Sequence, residues 1–227
     1  MAIYSISDLH LGISADKPMD IFGPRWENYL ELLKDNWQKT VAPDDLVLIP
    51  GDISWAMYVK EAEEDFRFLN DLNGIKLISK GNHDYWWETL NKLQQYVKDK
   101  GFSTIQFMHN TVYQHGSIAI CAAKGYPDNG KTEEDHKLYN REVMRLKLSL
   151  DLAKKTDASV IFVMLHYPPT LSSDFAKLME EYGVSRCLYG HLHGASHKMA
   201  LEGRYNGVEY TLVSADYLQF QPLLLLK

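Results

Sequence analysis

The chain is poor in cysteine, with only Cys121 and Cys187 among 227 residues. Two thiols do not make a disulfide framework, and each lies in an apolar run, where cysteine behaves as a small buried hydrophobe. Long hydrophobic runs are missing as well. Nothing approaches the roughly 18 apolar residues of a membrane span, and the closing Leu223-Leu224-Leu225-Leu226 is expected to be a buried strand end. The opening Met1-Ala2-Ile3-Tyr4-Ser5 has neither the basic nor the apolar region of a signal peptide. No membrane association is expected, and the expected location is cytoplasmic. Positive charge is also in short supply: 24 Lys and Arg stand against 30 Asp and Glu, a formal net charge of −6. No global field therefore attracts nucleic acid, and a small anionic substrate needs a local positive centre. No linker, repeat or low-complexity segment divides the chain, so residues 1–227 are expected to form one domain with a full core.

What is present is a rhythm of apolar strands and amphipathic helices. Strands are expected at Ile3 to Ile6, Leu46 to Ile49 and Lys76 to Ser79, separated by helices at about Arg25 to Lys39, Val59 to Leu72 and Tyr85 to Lys100. That alternation argues for a largely parallel sheet. Trp26, Tyr29, Leu30, Leu33 and Trp37 fall at helical spacing and are expected to pack in the core. Gly12 to Pro24, rich in turn residues, is expected to be a long binding loop. Short strands at Thr104 to Phe107, Thr111 to Gln114 and Ile118 to Cys121 are expected to be antiparallel. A charged helix follows at about Glu133 to Lys155. Val160 to Leu165 is the strongest strand pattern, ended by Pro168-Pro169. After a short helix around Phe175 to Tyr182 comes Arg186 to Tyr189. Then Met199 to Leu201 and Val208 to Val213 flank Asn206-Gly207, a favoured hairpin turn.

The apolar strands end in polar residues able to ligate metal or move protons: Asp8 and His10, Asp52, Asn82 with His83 and Asp84, His166, and His191 with His193. Singly, each has an ordinary explanation as a turn former or a satisfied core histidine. Jointly they do not. In open α/β sheets sites gather beyond the carboxyl ends of strands, so parallel strands bring these residues to one edge. Five of the nine histidines occupy these positions, leaving His109, His115, His136 and His197 as background.

Asp8-Leu9-His10, Gly51-Asp52, Gly81-Asn82-His83-Asp84, His166 and Gly190-His191-Leu192-His193 together resemble the motifs of the calcineurin-like metallophosphoesterase superfamily, in the family's order. The resemblance implies an α/β fold, a four-layer α/β/β/α sandwich of two mixed sheets flanked by helices, with two metals between the strand ends. It implies that Asp8, His10 and His193 hold the first metal, Asn82, His166 and His191 the second, and that Asp52 bridges them. His83 then stands beside the metals as general acid, with Asp84 orienting it.

The chemistry is consistent with that assignment. Two divalent ions bring four positive charges and Asp8 with Asp52 remove two, which leaves a positive centre for a phosphate. A water between such ions is a hydroxide near neutral pH and attacks phosphorus in line, while His83 protonates the leaving alkoxide. The mixed nitrogen and oxygen donors exclude no first-row ion outright and fit Mn, Fe, Zn, Co or Ni better than calcium; manganese, or a mixed iron-containing pair, is expected. The expected activity is hydrolysis of a phosphoester in a small phosphorylated substrate, with a diester or nucleotide favoured over a phosphomonoester or phosphoprotein, and with nucleic acid disfavoured. The competing class is a metal-binding scaffold without turnover, such as the retromer subunit of the same superfamily, but that subunit departs at the catalytic histidine that His83 supplies here. Arg25, Lys80, Lys131, Arg141 and Arg204 are candidates for holding a second phosphate or a leaving group, and Trp55, Trp86, Trp87 and Tyr126 lie near the motif loops.

Overall fold

Side chains alternate across a strand, so a continuous apolar run must be covered on both faces. The run Leu46–Ile49 shows this. Leu46 and Leu48 pack with Ile3 and Leu77 against Ile118, Ile120, Phe162 and Met164. Val47 and Ile49 pack the other way, against Leu33, Trp37, Phe66 and Leu93. A third apolar layer joins Ala119, Cys121, Val163 and Leu165 to Leu146, Leu150, Phe175 and Met179. Three apolar layers separate four structural ones, and the order is helix, sheet, sheet, helix, as the resemblance implies.

The computed structural model describes every residue except Ser14, Asp16 and Pro18, so part of the expected 12–24 loop lies outside the described residues. The first sheet comprises β1 (Ile3–Ser5), β2 (Leu46–Ile49), β3 (Ile75–Ile78), β4 (Ile105–Phe107) and β11 (Leu223–Leu226), in the order β11-β1-β2-β3-β4. β1 to β4 are parallel, and β11 is antiparallel to β1. Helices α1 (Tyr29–Thr40), α2 (Glu63–Asp71) and α3 (Leu90–Asp99) cover its outer face. The second sheet has the order β5-β6-β7-β8-β10-β9. Its strands are β5 (Val112–His115), β6 (Ile118–Ala123), β7 (Val160–Leu165), β8 (Arg186–Tyr189), β9 (Gly203–Tyr205) and β10 (Val208–Leu212). β6, β7, β8 and β10 are parallel, with β5 and β9 antiparallel at the edges. Helices α4 (Glu133–Ala153) and α5 (Asp174–Glu181) cover this sheet. α4 begins on a capping box, in which Thr132 Oγ1 accepts the Asp135 N–H and Asp135 accepts the Thr132 N–H. Among the described residues no helix is long and apolar enough to cross a membrane.

The sheets are stitched together just past β1 and β10. The Ser7 N–H donates to the Val213 carbonyl at 2.8 Å, and the Ala215 N–H donates to the Ser7 carbonyl at 2.9 Å. This joint sets the carboxyl ends of β1, β2 and β3 beside those of β7, β8 and β10.

Several element expectations are corrected. α1 begins at Tyr29, because Asn28 takes a left-handed conformation (φ 53°) that no helix continues. Trp26 therefore lies in a short 3-10 turn, Pro24–Trp26, outside that helix. α2 starts at Glu63 and α3 at Leu90, both later than the apolar spacing suggested. β4 is parallel to β3, so only β5 and β6 form an antiparallel pair in that region. The Asn206-Gly207 turn joins β9 to β10, and Met199 instead ends a 3-10 helix, Gly194–Met199. β11 is a sheet edge with alternate residues exposed, Leu226 by 48%, and not a buried strand end.

Candidate metal centre

Four of the metal-competent residues sit in backbone conformations that disfavour side chains. Asp8 (φ 58°), His10 (φ 46°), Asp52 (φ 55°) and His191 (φ 73°) all occupy the left-handed region. Each lies shortly past the end of its strand, where the chain turns sharply across the sheet edge. Strain of this kind persists where surrounding contacts over-determine it. Here the Asp8 N–H donates to the Gly51 carbonyl and the His10 N–H to the Asp52 carbonyl, which zips the loop after β1 onto the loop after β2.

The turned side chains form two adjoining clusters. In the first, His10 Nε2 lies 3.2 Å from His193 Nε2, and His193 Nε2 lies 3.5 Å from Asp8 Oδ1. In the second, Asn82 Oδ1 lies 2.7 Å from His166 Nε2 and 2.9 Å from His191 Nδ1. Asp52 Oδ2 sits between them, 3.9 Å from His10 Nε2 and 3.4 Å from His166 Nε2. The atoms of Asp8, His10 and His193, and those of Asp8, Asp52 and His166, fall within one ion's reach of each other.

The donor set fits metal ions. His166 Nδ1 is 3.0 Å from the Pro50 carbonyl, which can only accept, so that nitrogen carries the proton. Burial pushes the His166 pKa down to about 4, so the ring is neutral and its Nε2 lone pair faces Asn82 Oδ1 and Asp52 Oδ2, both acceptors. Burial likewise lowers His10 to about 3, and that ring stacks on Trp55 with centroids 4.9 Å apart. Burial, then the neighbouring charges of Asp84 and Asp8, push Asp52 well above the usual carboxylate range. Around Asp52 the converging groups are thus neutral acceptors and a carboxylate short of positive charge, the condition a cation relieves.

Asp216, absent from the sequence expectations, completes the first cluster. His193 Nδ1 donates to Asp216 Oδ1 at 2.8 Å, and Asp216 Oδ2 accepts the Gly194 N–H at 3.0 Å. Burial opposes charge on His193, but the hydrogen bonds to Asp216 and Asp8 outweigh it and raise the pKa to about 10. Asp216 therefore fixes the ring with Nε2 toward Asp8, as a carboxylate behind a ligating histidine does. His197, placed among the background histidines, lies with Nε2 3.2 Å from Asp216 Oδ2. No local motif announces Asp216; its only signal is its place shortly past an apolar strand. Asp216→Asn is expected to weaken metal affinity by about 10- to 100-fold, measured by competition with a chelating indicator. An unchanged affinity would mean that the carboxylate does not tune His193.

Asp84 has a different place from the one implied. Its carboxylate accepts main-chain N–H groups of Gly81 (2.7 Å), Asp52 (2.9 Å) and Ile53 (2.8 Å), and it is wholly buried. Its hydrogen bonds run to backbone and none reaches the His83 ring, so it ties the β2 and β3 end loops together and does not set the His83 tautomer. His83 is half-buried. Its ring centroid lies 4.6 Å from that of Trp55, its Nδ1 is 3.4 Å from the Tyr85 hydroxyl, and its N–H donates to Asp52 Oδ1 at 2.8 Å. Burial lowers its pKa.

The motif glycines have steric reasons. A Cβ on Gly190 would overlap Asp8 Oδ2 and Ser7 Oγ, and one on Gly81 would overlap the Asp52 side chain and N–H. The strand ends approach too closely there for any larger residue. Gly190→Ala is expected to displace Asp8, costing about 1–3 kcal/mol and lowering metal content. Thermal melts and elemental analysis read both effects, and a wild-type melt with full metal content would contradict the close packing.

A cavity of about 590 Å³ opens beside the first cluster, lined by His10, His83 and His193 and by Met19, Phe22, Trp26 and Trp55. The structure thereby sorts the aromatics near the motifs: Trp55 borders this cavity, whereas Trp86 is buried against Phe66.

Ligand-rich ends of parallel strands, facing each other across two stacked sheets, define a metal-dependent hydrolase class. Residues 1–195 match the family model described as calcineurin-like phosphoesterase, and the chain belongs to that family: it is a metal-dependent phosphoesterase. Comparison with curated proteins found no match. Among solved structures, a protein of unknown function from Aquifex aeolicus is similar at 18% identity and TM-score 0.54, over 98% of this chain and 95% of that one. A phosphopantetheinyl hydrolase from Mycobacterium tuberculosis is similar at 13% identity and TM-score 0.57, over 99% and 95%. A protein from Thermus thermophilus is similar at 16% identity and TM-score 0.53, over 84% and 81%. At these identities the likeness is one of fold.

Proposed function

We propose that this protein hydrolyses a phosphoester bond in a small organic substrate at a dinuclear metal centre. The observation that carries the reading is the pair of adjoining clusters with Asp52 Oδ2 between them. Asp8, His10 and His193 would hold one ion, Asn82, His166 and His191 the other, and Asp52 would touch both. When bound, the ions supply Lewis acidity and a net positive charge at the phosphate, and they acidify water. Manganese is proposed first, with iron, zinc, cobalt or nickel as alternatives, since a mixed nitrogen and oxygen donor set excludes no first-row ion outright.

The chain's own residues supply the rest. The His83 ring borders the cavity, and the residue's main-chain N–H donates to Asp52 Oδ1, which fixes the backbone that carries the ring. The ring gives a proton to the departing oxygen and is restored by solvent. Tyr85 lies within reach of its other nitrogen. Asp216 and the Pro50 carbonyl hold His193 and His166 with Nε2 inward.

A phosphodiester or a nucleotide is the favoured substrate. Lys80, Lys124 and Arg145 line one small cavity with Glu142 at the ends of β3 and β6, and Arg141 lies close enough to oppose charge on both lysines. Of the cations named from sequence as phosphate holders, Lys80 and Arg141 are in this cluster, and Arg25 lines the cavity beside the metal-competent residues. The reading is tested by loading the protein with Mn, Zn, Fe or Co and screening phosphomonoesters, phosphodiesters and nucleotides. Metal-dependent release of phosphate or alcohol is expected. A fully loaded protein inert toward every ester would favour the scaffold class instead.

A further inference from the structure

The 590 Å³ cavity is large enough for most of an organic molecule, and its character differs from that of the metal-competent clusters beside it. Met19, Phe22, Trp26 and Trp55 form its apolar wall with Arg25 beside them, and His10, His83, His193 and Asp216 stand where it meets the ligand clusters. Trp55 is held in place by its stack on His10, and Trp26 packs edge-on to His10 and His193 with centroids 5.9 and 5.8 Å away. At the mouth, Phe22 is 63% exposed and the neighbouring Ile21 74%. Apolar side chains left open together at the rim of a cavity mark a surface that meets an apolar partner. The basic cluster of Lys80, Lys124 and Arg145 lines a different cavity altogether.

We infer that this cavity receives the leaving group, and that the substrate is the phosphoester of a bulky alcohol with a large apolar body. The inference rests on the hydrolase reading above. His83 lines this cavity together with Trp55 and Phe22, so a leaving oxygen that reaches its ring carries its organic substituent into it. Hydrolysis breaks the bond between phosphorus and that oxygen and forms one between phosphorus and a water oxygen. The proton delivered by His83 goes to the alkoxide and is replaced by the one that water loses. An apolar body there exchanges water for carbon contacts with Met19, Phe22, Trp26 and Trp55.

The test compares ethyl phosphate with 2-cyclohexylethyl phosphate, each as monoester and as methyl diester. Their leaving alcohols have similar basicity, so the comparison isolates binding in the cavity. With Mn-loaded protein, kcat/KM is expected to be about tenfold or more higher for the cyclohexylethyl ester, and Phe22→Ala is expected to shrink that ratio. Separately, 2-cyclohexylethanol is expected to perturb tryptophan emission saturably, and less so in Phe22→Ala. If both esters are hydrolysed with equal kcat/KM, the inference is overturned while the hydrolase reading stands. If loaded protein hydrolyses neither of these nor any ester of the wider screen, the hydrolase reading fails, and saturable binding of the alcohol then decides for the apolar cavity or its absence decides against it.

Discussion

Asp52→Asn protein is expected to lose metal from both positions at once and to retain its fold. The substitution keeps the side chain's shape, and an amide oxygen can still accept the His83 N–H that Asp52 Oδ1 takes at 2.8 Å. What changes is the charge and basicity of the group facing His166 at 3.4 Å and His10 at 3.9 Å. In the wild type, burial and the charges of Asp84 and Asp8 hold Asp52 well above the usual carboxylate range, so its ionised form depends on a cation beside it. An amide offers no such compensation to two ions. Metal content measured by elemental analysis is expected to fall well below two per chain. With the positive centre gone, kcat/KM is expected to fall on the order of 10³-fold, since metal charge stabilisation amounts to several kcal/mol. Two fully retained ions would contradict the bridging place of Asp52.

His83→Ala is expected to separate chemistry from metal binding. The ring makes no hydrogen bond within either ligand cluster. Its contacts are Trp55 (4.6 Å between centroids), His10 (5.7 Å) and the Tyr85 hydroxyl. Both metals are therefore expected to remain while kcat falls by about 10²- to 10⁴-fold, the range for loss of a general acid. The loss is expected to shrink for esters whose leaving alcohol is acidic, because such an alkoxide departs without a proton. An equal loss across leaving groups would assign His83 to something other than proton delivery.

Asp84→Asn provides the contrast. Replacing an acceptor of three main-chain N–H groups by an amide turns one acceptor into a donor against buried donors, at about 1–3 kcal/mol. A lowered melting temperature is expected, whereas an orienting role behind His83 would appear in kcat alone.

The fold class was legible because alternation and length constrain it physically. Apolar runs such as Leu46–Ile49 and Val160–Leu165 carry no polar face, so they must be covered on both sides, and helices between them force parallel crossovers. Element starts were less legible where a single backbone angle intervened. The helical spacing of Trp26 with Tyr29 is genuine in sequence, but Asn28 in a left-handed conformation detaches Trp26 from α1 and frees it to line the cavity. β4 reads like part of an antiparallel set, yet it joins β3 in parallel, because the decision between sheets depends on which edge is open and not on the strand's own residues.

The motif residues themselves, from Asp8 to His193, were determined by the sequence: their types, their spacing and their positions at strand ends follow from the chain alone. The sequence could also name Gly51, Gly81 and Gly190, though only the approach of neighbouring strand ends to atomic contact explains them. Tertiary structure decided the rest. It brought Asp216 behind His193 from the end of β10, turned Asp84 from a histidine partner into a backbone clamp, and set Met19, Phe22, Trp26 and Trp55 around one cavity. The physical reason is one of range. Ligand identity and strand pattern are local properties written within a few residues, whereas the partner of a buried carboxylate is settled by the joining of two sheets whose strands stand up to about 200 residues apart in the chain.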